Sequence, residues 1–476
     1  MSQEPAAVTK SFVRFERQHI LPIPEDERTG TTWSVFAIWV ALNMMPLAAV
    51  TGAIATGTYG LSIGWSIAAI LTGNIIGSFG SALHASQGPH LGIPQMLQAR
   101  GQFGYLGGAL FAFIALIMFM GFFASILVVA KDSIVLVFPG LNGSLSILVF
   151  AVIGVGLCIY GYDILRKTMV YISWLIGIAV ALSIVGLIFS AEGVHSAPGA
   201  GFEIHGFFSV TAVGVVWQLA YAPYVSDYTR YLPKATGPKA AFWSTYIGLV
   251  GSSVFVMMLG VLLGTYSADN PLTGLSEVLG GFGLLVLVIF AVTSALINGV
   301  ELYSAVMNGL TVLQSSVRNI TITTQTRVAT TLTLGGVATV IALLGQGNFM
   351  TLFEIFLDLL LYALIPWSVI NLVDYFIVRK REYAVSELFQ RDGGRYGRWD
   401  AVGLISYVIG LLAQLPFMIL PGVEEGEEIV GPFAKYIGEL DLSWLIGFVF
   451  TGIVFLILER IFRKEEVPIE TTETSA

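Results

Sequence analysis

The stretch Ala41-Leu-Asn-Met-Met-Pro46 interrupts a long apolar run near the start of this chain, and Trp217-Gln-Leu-Ala-Tyr-Ala-Pro223 interrupts another run near its middle. Proline removes a backbone donor and clashes with the preceding turn, so a helix tends to unwind there. Unwound backbone inside a membrane is tolerated only where it is buried in protein or lines a cavity. Paired broken helices in two halves of a chain are the best sequence indication of a transporter's binding site. A simple proline kink without a function would give the same pattern.

The composition is that of a membrane protein with many spans. Of the 476 residues, 55% are hydrophobic and 11% are charged, and the mean hydropathy is +0.81. Soluble domains carry about 25% charged residues. A transmembrane helix needs about 20 mostly apolar residues. We predict twelve spans, at 32–57, 60–84, 105–130, 143–162, 168–190, 206–227, 239–265, 277–313, 327–346, 350–378, 400–421 and 440–462. These spans leave no room for a separate soluble catalytic domain.

The basic residues predict an orientation. Of the 23 Lys and Arg residues, all but Lys131 and Lys435 fall in the termini or in every second loop. Cytoplasmic loops retain Lys and Arg, so we expect a multi-pass protein of the cell membrane with both termini in the cytoplasm. The predicted organisation is a cytoplasmic tail (1–31), a single twelve-helix transporter domain (32–463) and a second cytoplasmic tail (464–476). The basic loops are expected to meet membrane lipids. The net charge of −8 does not indicate a nucleic-acid partner.

Cysteine and histidine usage argues against an enzyme or a metal protein. Cys158 is the single cysteine, so it cannot form an internal disulfide. His84 and His90 are predicted to be solvated in a cytoplasmic loop rather than to bind a metal.

The sequence shows no nucleophile motif, metal cluster or Walker loop, so we predict neither an enzyme nor ATP-driven transport. A channel is a further alternative, but no pore-lining ring or filter motif is present. We expect no cofactor and no obligatory protein partner.

Span eight carries Asn298 and Glu301, which lie three apart and share a helix face. Ionisable groups inside a bilayer are costly, so each one is a candidate for function. Glu301 could accept hydrogen bonds from the N–H groups of a polar ring, or carry a coupling proton. The alternative is a structural acid that pairs with another helix.

Two further pairs of polar residues lie at the end of span six and within span ten. Asp227 and Arg230 are spaced to pair on one helix face, which fits a boundary ion pair or an inner gate, with direct proton transfer as the second interpretation. Glu354 and Asp358 lie four apart and fit an outer gate, a proton path or a position near the outer interface.

Three aromatic residues near the second break could hold a flat ligand. Trp217 and Tyr221 lie four apart, just before Pro223, and Phe122 lies in span three. Offset stacking on such rings would hold a planar heterocycle at a fixed height. Packing against other helices or contact with lipid is the alternative role.

Four stretches together resemble the nucleobase–cation symporter family, and within it the purine–cytosine permease branch. They are Trp39-Val-Ala-Leu-Asn43 with Thr51-Gly52; Gly77-Ser-Phe-Gly80 with Gly92-Ile-Pro94, Arg100 and Phe103-Gly104; Ala222-Pro-Tyr-Val-Ser-Asp-Tyr-Thr-Arg-Tyr231; and Asn371-Leu-Val-Asp-Tyr-Phe376 with Arg379 and Tyr383. The resemblance covers nearly the whole chain. It implies an all-α fold of the LeuT type, in which ten helices form a five-plus-five inverted repeat, with two further C-terminal helices.

The resemblance also implies the site. The substrate would lie between helices one, three, six, eight and ten, with the base held between an aromatic ring of helix three and one of helix six. By motif position these rings are Phe122 and either Tyr221 or Trp217, and Tyr221 is preferred because it directly precedes Ala222-Pro223. The substrate edge would be bound by Asn298, Glu301 and Gln218, with Asn43 nearby. Glu301 stands near a position that is often Asn in the family.

Two departures from the family pattern concern the ring of helix three and the cation. Several relatives have Trp where this chain has Phe122. Sodium-dependent relatives carry hydroxyl residues in helix eight, where this chain has Leu296 and Ile297, although Thr293 and Ser294 are near. We therefore expect proton rather than sodium coupling. The residues predicted for coupling or gating are Glu301, Asp227, Thr293, Ser294 and Asp358.

The predicted function is import of a purine or cytosine nucleobase by cation symport with alternating access. The alternative is a transporter of the same fold for allantoin, a hydantoin or a vitamin, which could be coupled to sodium.

Overall fold

The computed structural model describes residues 22–160, 162–190, 200–317, 320–422 and 427–462, without the side chains of 162–170. The predicted tail 464–476 and most of the tail 1–31 lie outside these residues. The α-helices are α1 (Thr32–Asn43), α2 (Pro46–Gly57), α3 (Ile63–Ala85), α4 (Gly88–Leu91), α5 (Gln95–Gln98), α6 (Arg100–Val137), α7 (Gly143–Tyr160), α8 (Tyr162–Ile188), α9 (Ile204–Leu219), α10 (Val225–Thr229), α11 (Gly237–Leu263), α12 (Thr273–Ser316), α13 (Thr324–Gly345), α14 (Phe349–Val373), α15 (Ala401–Gln414), α16 (Pro432–Tyr436) and α17 (Ser443–Phe462).

Short turns and one small sheet complete the described secondary structure. The 3-10 turns are Glu25–Glu27, Ala222–Tyr224, Lys234–Thr236, Gln346–Asn348, Val385–Phe389, Gly394–Tyr396 and Leu415–Phe417, and Asp374–Val378 is a π-helical turn. The strands β1 (Ile419–Pro421) and β2 (Glu428–Val430) pair in antiparallel fashion.

Each of the twelve predicted spans overlaps a helix. Among the described residues, nine helical segments are long and apolar enough to cross a membrane, and the bent pair α1 and α2 makes a tenth. One of these segments, Thr324–Val378, contains both α13 and α14, and a shorter apolar segment covers Ala401–Phe417. The predicted helical membrane class is therefore confirmed, while the number of twelve crossings stays a prediction.

Both predicted helix breaks are present. α1 ends at Asn43 and α2 begins at Pro46, and the two helices meet at an angle of 61°. Proline suits the first position of α2, where its missing N–H would have no partner within the helix. α9 ends at Leu219, and a 3-10 turn that contains Pro223 separates it from α10. The expected discontinuous helices one and six are confirmed.

Small residues let the second half of the first broken helix lie close to α11. A Cβ atom added to Gly260 would lie 1.8 Å from the carbonyl oxygen of Ala49, and one added to Gly52 would lie 2.2 Å from that of Met257. Glycine at both positions allows the two backbones to approach, as is typical of membrane helix pairs. This contact fixes α2 beside the cavity described below.

The predicted span 400–421 is wrong at its C-terminal end. The helix ends at Gln414, Pro416 lies in a 3-10 turn, and Ile419–Pro421 is the strand β1. Proline has no N–H with which to continue the helical hydrogen bonds. The next helix, α17, begins at Ser443, because the Oδ1 atom of Asp441 accepts a hydrogen bond of 2.8 Å from its backbone N–H.

The two ends of the helix bundle differ in charge. One end, called the basic end here, carries Arg28, Arg100 and Arg379, each of which donates to a backbone carbonyl of a neighbouring segment. The opposite end, called the acidic end, carries Glu203 at the start of α9 and Glu354 near the end of α2.

The described part of the predicted N-terminal tail packs against the basic end. The backbone N–H of Ile23 donates to the carbonyl of Gly92 at 3.0 Å, and Nη1 of Arg28 donates to that of Pro89 at 2.8 Å. Burial lowers the pKa of the Arg28 guanidinium, and the neighbouring Glu25 carboxylate opposes this effect.

Candidate functional site

A small cavity lies where the two helix breaks meet α6 and α12. Its lining residues are Met45, Met118, Phe119, Phe122, Trp217, Ala220, Tyr221, Tyr224 and Glu301. The cavity volume is about 10 Å³, which is near the minimum that one water molecule needs. A heterocycle can therefore enter only when the lining side chains move apart.

Aromatic rings form most of the cavity wall. Phe122 of α6 stands edge-on to Trp217 of α9, with 6.2 Å between the ring centroids and 86° between the planes. Tyr221 also borders the cavity, but its ring packs on Trp39 at 5.7 Å. Of the two predicted partners for Phe122 in helix six, the structure therefore places Trp217 opposite it.

The side chain of Asn43 connects the two broken helices. Its Oδ1 atom accepts hydrogen bonds from the Trp217 indole at 3.0 Å, the Tyr221 hydroxyl at 2.7 Å and the Ser253 hydroxyl at 2.6 Å. Its Nδ2 atom donates to the carbonyl of Trp39 at 3.1 Å. The predicted substrate contact at Asn43 is thus occupied by protein groups in this structure.

Glu301 presents a carboxyl group to the cavity. It is 7% exposed, and its Oε2 atom is buried without a hydrogen-bond partner among the described residues. No ion pair within the described part of the chain involves it. The alternative of a structural acid paired to another helix therefore finds no support here.

Asn298 lies one turn before Glu301 on α12. It is fully buried, and neither its Oδ1 nor its Nδ2 atom has a hydrogen-bond partner in the described structure. It does not line the closed cavity, and its Cβ lies 3.4 Å from where a Cβ on Gly154 of α7 would be. A buried amide without partners is costly, which marks Asn298 as unusual.

Gln218, Thr293 and Ser294 lie away from the cavity wall. Gln218 is fully buried, and its Nε2 atom donates to Oδ1 of Asn74 at 2.5 Å. The hydroxyl of Thr293 donates to the carbonyl of Ile289 within its own helix at 2.8 Å. The Ser294 hydroxyl is buried and has no partner among the described residues.

Asp227 and Arg230 meet through the main chain at the basic end. Nε of Arg230 donates to the carbonyl oxygen of Asp227 at 3.3 Å, and the Asp227 carboxylate accepts from the backbone N–H of Gln95 at 2.9 Å. The Gln95 side chain also accepts from the hydroxyl of Ser226 at 2.6 Å. Asp227 thereby fixes the α5 segment against α10.

His84 is buried, so its expected place in a solvated loop was wrong. α3 extends to Ala85, and the His84 ring stacks on Trp367 with 5.0 Å between centroids. Its two ring nitrogens lie 2.8 Å from the hydroxyl of Ser368 and 3.1 Å from Nε2 of Gln95. His84 therefore connects α3, α5 and α14, while His90 is exposed and bonds to Tyr375.

A buried ion pair lies at the basic end, where α14 terminates. Nε of Arg379 lies 3.0 Å from Oδ2 of Asp374, which is fully buried. Asp374 also accepts from Gln102 of α6 at 3.1 Å and from the hydroxyl of Tyr383. Burial, reinforced by the Asp374 carboxylate, raises the pKa of the Tyr383 hydroxyl well above its usual value, so it remains a donor. Asn371 extends the network by donating to Oε1 of Gln102.

Asp358 lies at the acidic end, outside the cavity wall. Glu354, one turn before it on α14, accepts a hydrogen bond of 2.8 Å from Thr58 at the end of α2. Asp358 is half-buried. Within the described residues, no group of three or more His, Cys, Asp or Glu could hold a metal ion.

The structure thus brings together four of the predicted site residues, namely Phe122, Trp217, Tyr221 and Glu301. Sequence reasoning missed several lining residues. Phe119 lies three positions before Phe122 on the same helix face, and this spacing could have identified it. Met45 and Met118 carry no comparable signal, because apolar side chains are found throughout a membrane domain.

Comparison with known proteins agrees with the fold. The profile of the family described as permeases for cytosine/purines, uracil, thiamine and allantoin matches residues 22–447. The chain is 36% identical over 453 residues to YxlA of Bacillus subtilis strain 168, which is assigned as a purine-cytosine permease, and the match covers 94% of this chain and 96% of that protein.

Two solved structures of Mhp1 share the architecture. The inward-facing conformation has a TM-score of 0.74 at 19% identity and covers 95% of both chains. The closed conformation with bromovinylhydantoin bound, described as that of a nucleobase-cation-symport-1 family transporter, has a TM-score of 0.70 at 21% identity and covers 94% of this chain and 95% of that one. This likeness confirms the predicted LeuT-type arrangement.

A helical membrane bundle with two broken helices around a closed central cavity defines a transporter rather than an enzyme. This chain belongs to the family of permeases for cytosine/purines, uracil, thiamine and allantoin, that is, to the nucleobase–cation symporters.

Proposed function

We propose that this protein is a secondary active transporter that imports a purine or cytosine nucleobase together with a proton. The observation that carries the proposal is a cavity at both helix breaks that combines aromatic walls with an unpaired carboxyl group, Glu301. Aromatic faces suit a flat ring, and a polar group at its edge suits the donors and acceptors of a base. Similarity to YxlA supports a nucleobase as the substrate class.

The base would stack between Phe122 and Trp217, with Tyr221 at the border of the site. A ring between two parallel rings needs about 7 Å from centroid to centroid, since stacked carbon atoms lie about 3.5 Å apart. The present separation is 6.2 Å, with the rings nearly perpendicular. We therefore propose that Phe122 turns its face toward Trp217 when the substrate binds.

Alternating access would open the two ends of the bundle in turn. We assign the basic end to the cytoplasm of a plasma-membrane protein, because Lys and Arg are retained on that side. The contacts of Asp227 with Gln95 and of Asp374 with Arg379 then hold the cytoplasmic side closed. Substrate and cation shift this equilibrium only by binding one state better than the other.

A proton is the favoured coupling cation because the oxygen ligands that sodium needs are few. Thr293 and Ser294 could each supply one hydroxyl, and the Thr293 hydroxyl is already bound to Ile289. Leu296 and Ile297 supply no side-chain oxygen. Glu301 in the cavity is a titratable group that could carry the proton.

We expect cytosine or a purine to raise the melting temperature of the purified protein in a concentration-dependent manner, because a ligand that binds only the folded state stabilises it. The panel would contain cytosine, adenine, hypoxanthine, guanine, uracil, allantoin and benzylhydantoin, each with and without sodium and at two pH values. A response that needs sodium would contradict proton coupling.

A transporter of the same fold for allantoin, a hydantoin or a vitamin is the second candidate. The family description includes allantoin and thiamine, and Mhp1 has been solved with a bromovinylhydantoin. Stabilisation by allantoin or benzylhydantoin alone would favour this candidate over a nucleobase transporter.

A further inference from the structure

We propose that Glu301 binds the base as a neutral carboxylic acid, so that the coupling proton is itself part of substrate recognition. In this arrangement the acid O–H donates to a ring nitrogen of the base, and the acid C=O accepts from the adjacent amino group. The proposal rests on the proposed nucleobase function and assigns a chemical role to one side chain within it.

Among the described residues, no basic side chain lines the cavity around Glu301. The wall that α6 contributes consists of Met118, Phe119 and Phe122, and the break between α1 and α2 contributes Met45. Besides Glu301, the titratable side chains in the described cavity wall are those of Tyr221 and Tyr224, beside the second break. The Tyr221 hydroxyl already donates to Asn43.

Burial of an unpaired carboxylate costs several kcal/mol, even after relaxation of the protein around it. A neutral acid costs much less, because it has only ordinary polar groups to satisfy. Glu301 is therefore better suited to the closed cavity when it holds a proton, and the neutral acid then has one donor and one acceptor to satisfy. A substrate that supplies both partners removes this remaining cost.

Cytosine and adenine have a matching edge, in which a ring nitrogen that accepts lies beside an amino group that donates. Two parallel hydrogen bonds with one planar acid give both strength and orientation, as in other bidentate pairs. A carboxylate could form only one of these bonds, because it has no proton to donate to the ring nitrogen.

The proton balance over one cycle is simple. Glu301 takes one proton from the outside solution before or with the base, and the proton and the base are then enclosed together in the closed state. After the bundle opens inward and the base leaves, the unpaired acid releases its proton to the cytoplasm. No covalent bond forms or breaks other than the O–H bond of Glu301, and one proton enters with each base.

Glu301→Gln and Glu301→Leu separate this role from a structural one. The Gln amide keeps an N–H donor and a carbonyl acceptor but cannot titrate. Leu has a similar size to Glu and can neither donate nor accept a hydrogen bond. We would measure binding of radiolabelled cytosine and adenine to the purified full-length protein at pH 5.5, 7.0 and 8.5. We would also measure uptake into proteoliposomes with an imposed pH gradient.

We expect binding to the unmodified protein to weaken by up to about 10-fold per pH unit as the pH rises above the range in which Glu301 is neutral, because one proton is bound with each base. Glu301→Gln should bind within a few-fold of the unmodified protein at low pH, without pH dependence. It should exchange the base across the membrane but fail to accumulate it. Glu301→Leu should bind about 30-fold or more weakly, since two hydrogen bonds are lost.

A matched control is Glu459→Gln, which changes another buried carboxyl group, on α17 and away from the cavity wall. It should leave the pH dependence of binding unchanged. The unsubstituted heterocycle purine, which lacks the amino group of adenine, should bind about 10-fold more weakly than adenine to the unmodified protein.

Three results would overturn the inference while leaving nucleobase transport intact. These are cytosine binding that does not depend on pH, a Glu301→Gln variant that binds as poorly as Glu301→Leu, and a Glu301→Gln variant that keeps its pH dependence. If no nucleobase binds the unmodified protein at any pH, the proposed function fails and this inference fails with it.

Discussion

Replacement of Asn298 by Leu is expected to raise the melting temperature of the protein and to weaken binding of the base strongly. Both amide atoms of Asn298 are buried without partners, and each such group costs about 1–3 kcal/mol in a folded protein. Leu has a similar size and no polar atoms, so it removes this cost. Natural proteins keep such a conflict chiefly at functional sites.

The expected loss of binding has a geometric reason. Asn298 and Glu301 lie three residues apart on α12, so the expansion of the cavity needed to admit a heterocycle would bring the ligand edge within reach of both side chains. We expect at least about a 30-fold loss of affinity, because an amide can make two hydrogen bonds to the ring edge. The measurement is the melting temperature of the variant with and without saturating cytosine or adenine.

Ser78→Ala is the matched control for Asn298→Leu. The Ser78 hydroxyl is also buried and has no partner among the described residues, but it belongs to α3 and does not line the cavity. This variant should gain a smaller amount of stability and keep ligand binding. A stable Asn298→Leu protein that still binds the base normally would remove Asn298 from the site.

Asp374→Asn is expected to destabilise the protein by about 3–5 kcal/mol, because it leaves the buried guanidinium of Arg379 without its counter-ion. The carboxylate also accepts from Gln102 and Tyr383, so α6, α14 and the following loop all lose a contact. The measurement is the melting temperature in detergent, which should fall by about 6–10 °C if each kcal/mol shifts it by about 2 °C.

Two further variants test whether burial causes this effect. Glu387→Gln removes the partner of Arg395 in an ion pair that remains partly exposed, and should cost less than about 1 kcal/mol. The double variant Asp374→Asn with Arg379→Gln should recover part of the loss, since no unpaired charge remains. If Asp374→Asn and Glu387→Gln lowered the melting temperature equally, burial of the Asp374–Arg379 ion pair would not be the cause of the effect.

The broken helices could be predicted from the sequence because their cause is local. Pro46 and Pro223 each act on the preceding turn, independently of the rest of the fold. The same reasoning, applied to Pro416, would have shortened the predicted span at 400–421, where the apolar run continues into the strand β1. Apolar composition alone does not distinguish a helix from a short buried strand.

The side-chain directions around the site were less predictable. Trp217 and Tyr221 are four residues apart and face the cavity together. Gln218 directly follows Trp217, so its side chain is rotated by about 100° around the helix axis and points toward Asn74. Glu301 was identifiable because an acid within an apolar run is rare. The partners of Asn43 come from α9, α11 and the second break, and such contacts between distant segments follow from the packing of the whole bundle rather than from any local pattern.

Three donors meet at Oδ1 of Asn43, and through this atom the Trp217 ring is connected to both helix breaks. Trp217 cannot swing away from the cavity without stretching its 3.0 Å bond to Asn43, and the same oxygen anchors Tyr221 and Ser253. We therefore expect displacement of this ring by the proposed base to pull on the end of α1. We expect such a movement to change the angle of 61° between α1 and α2.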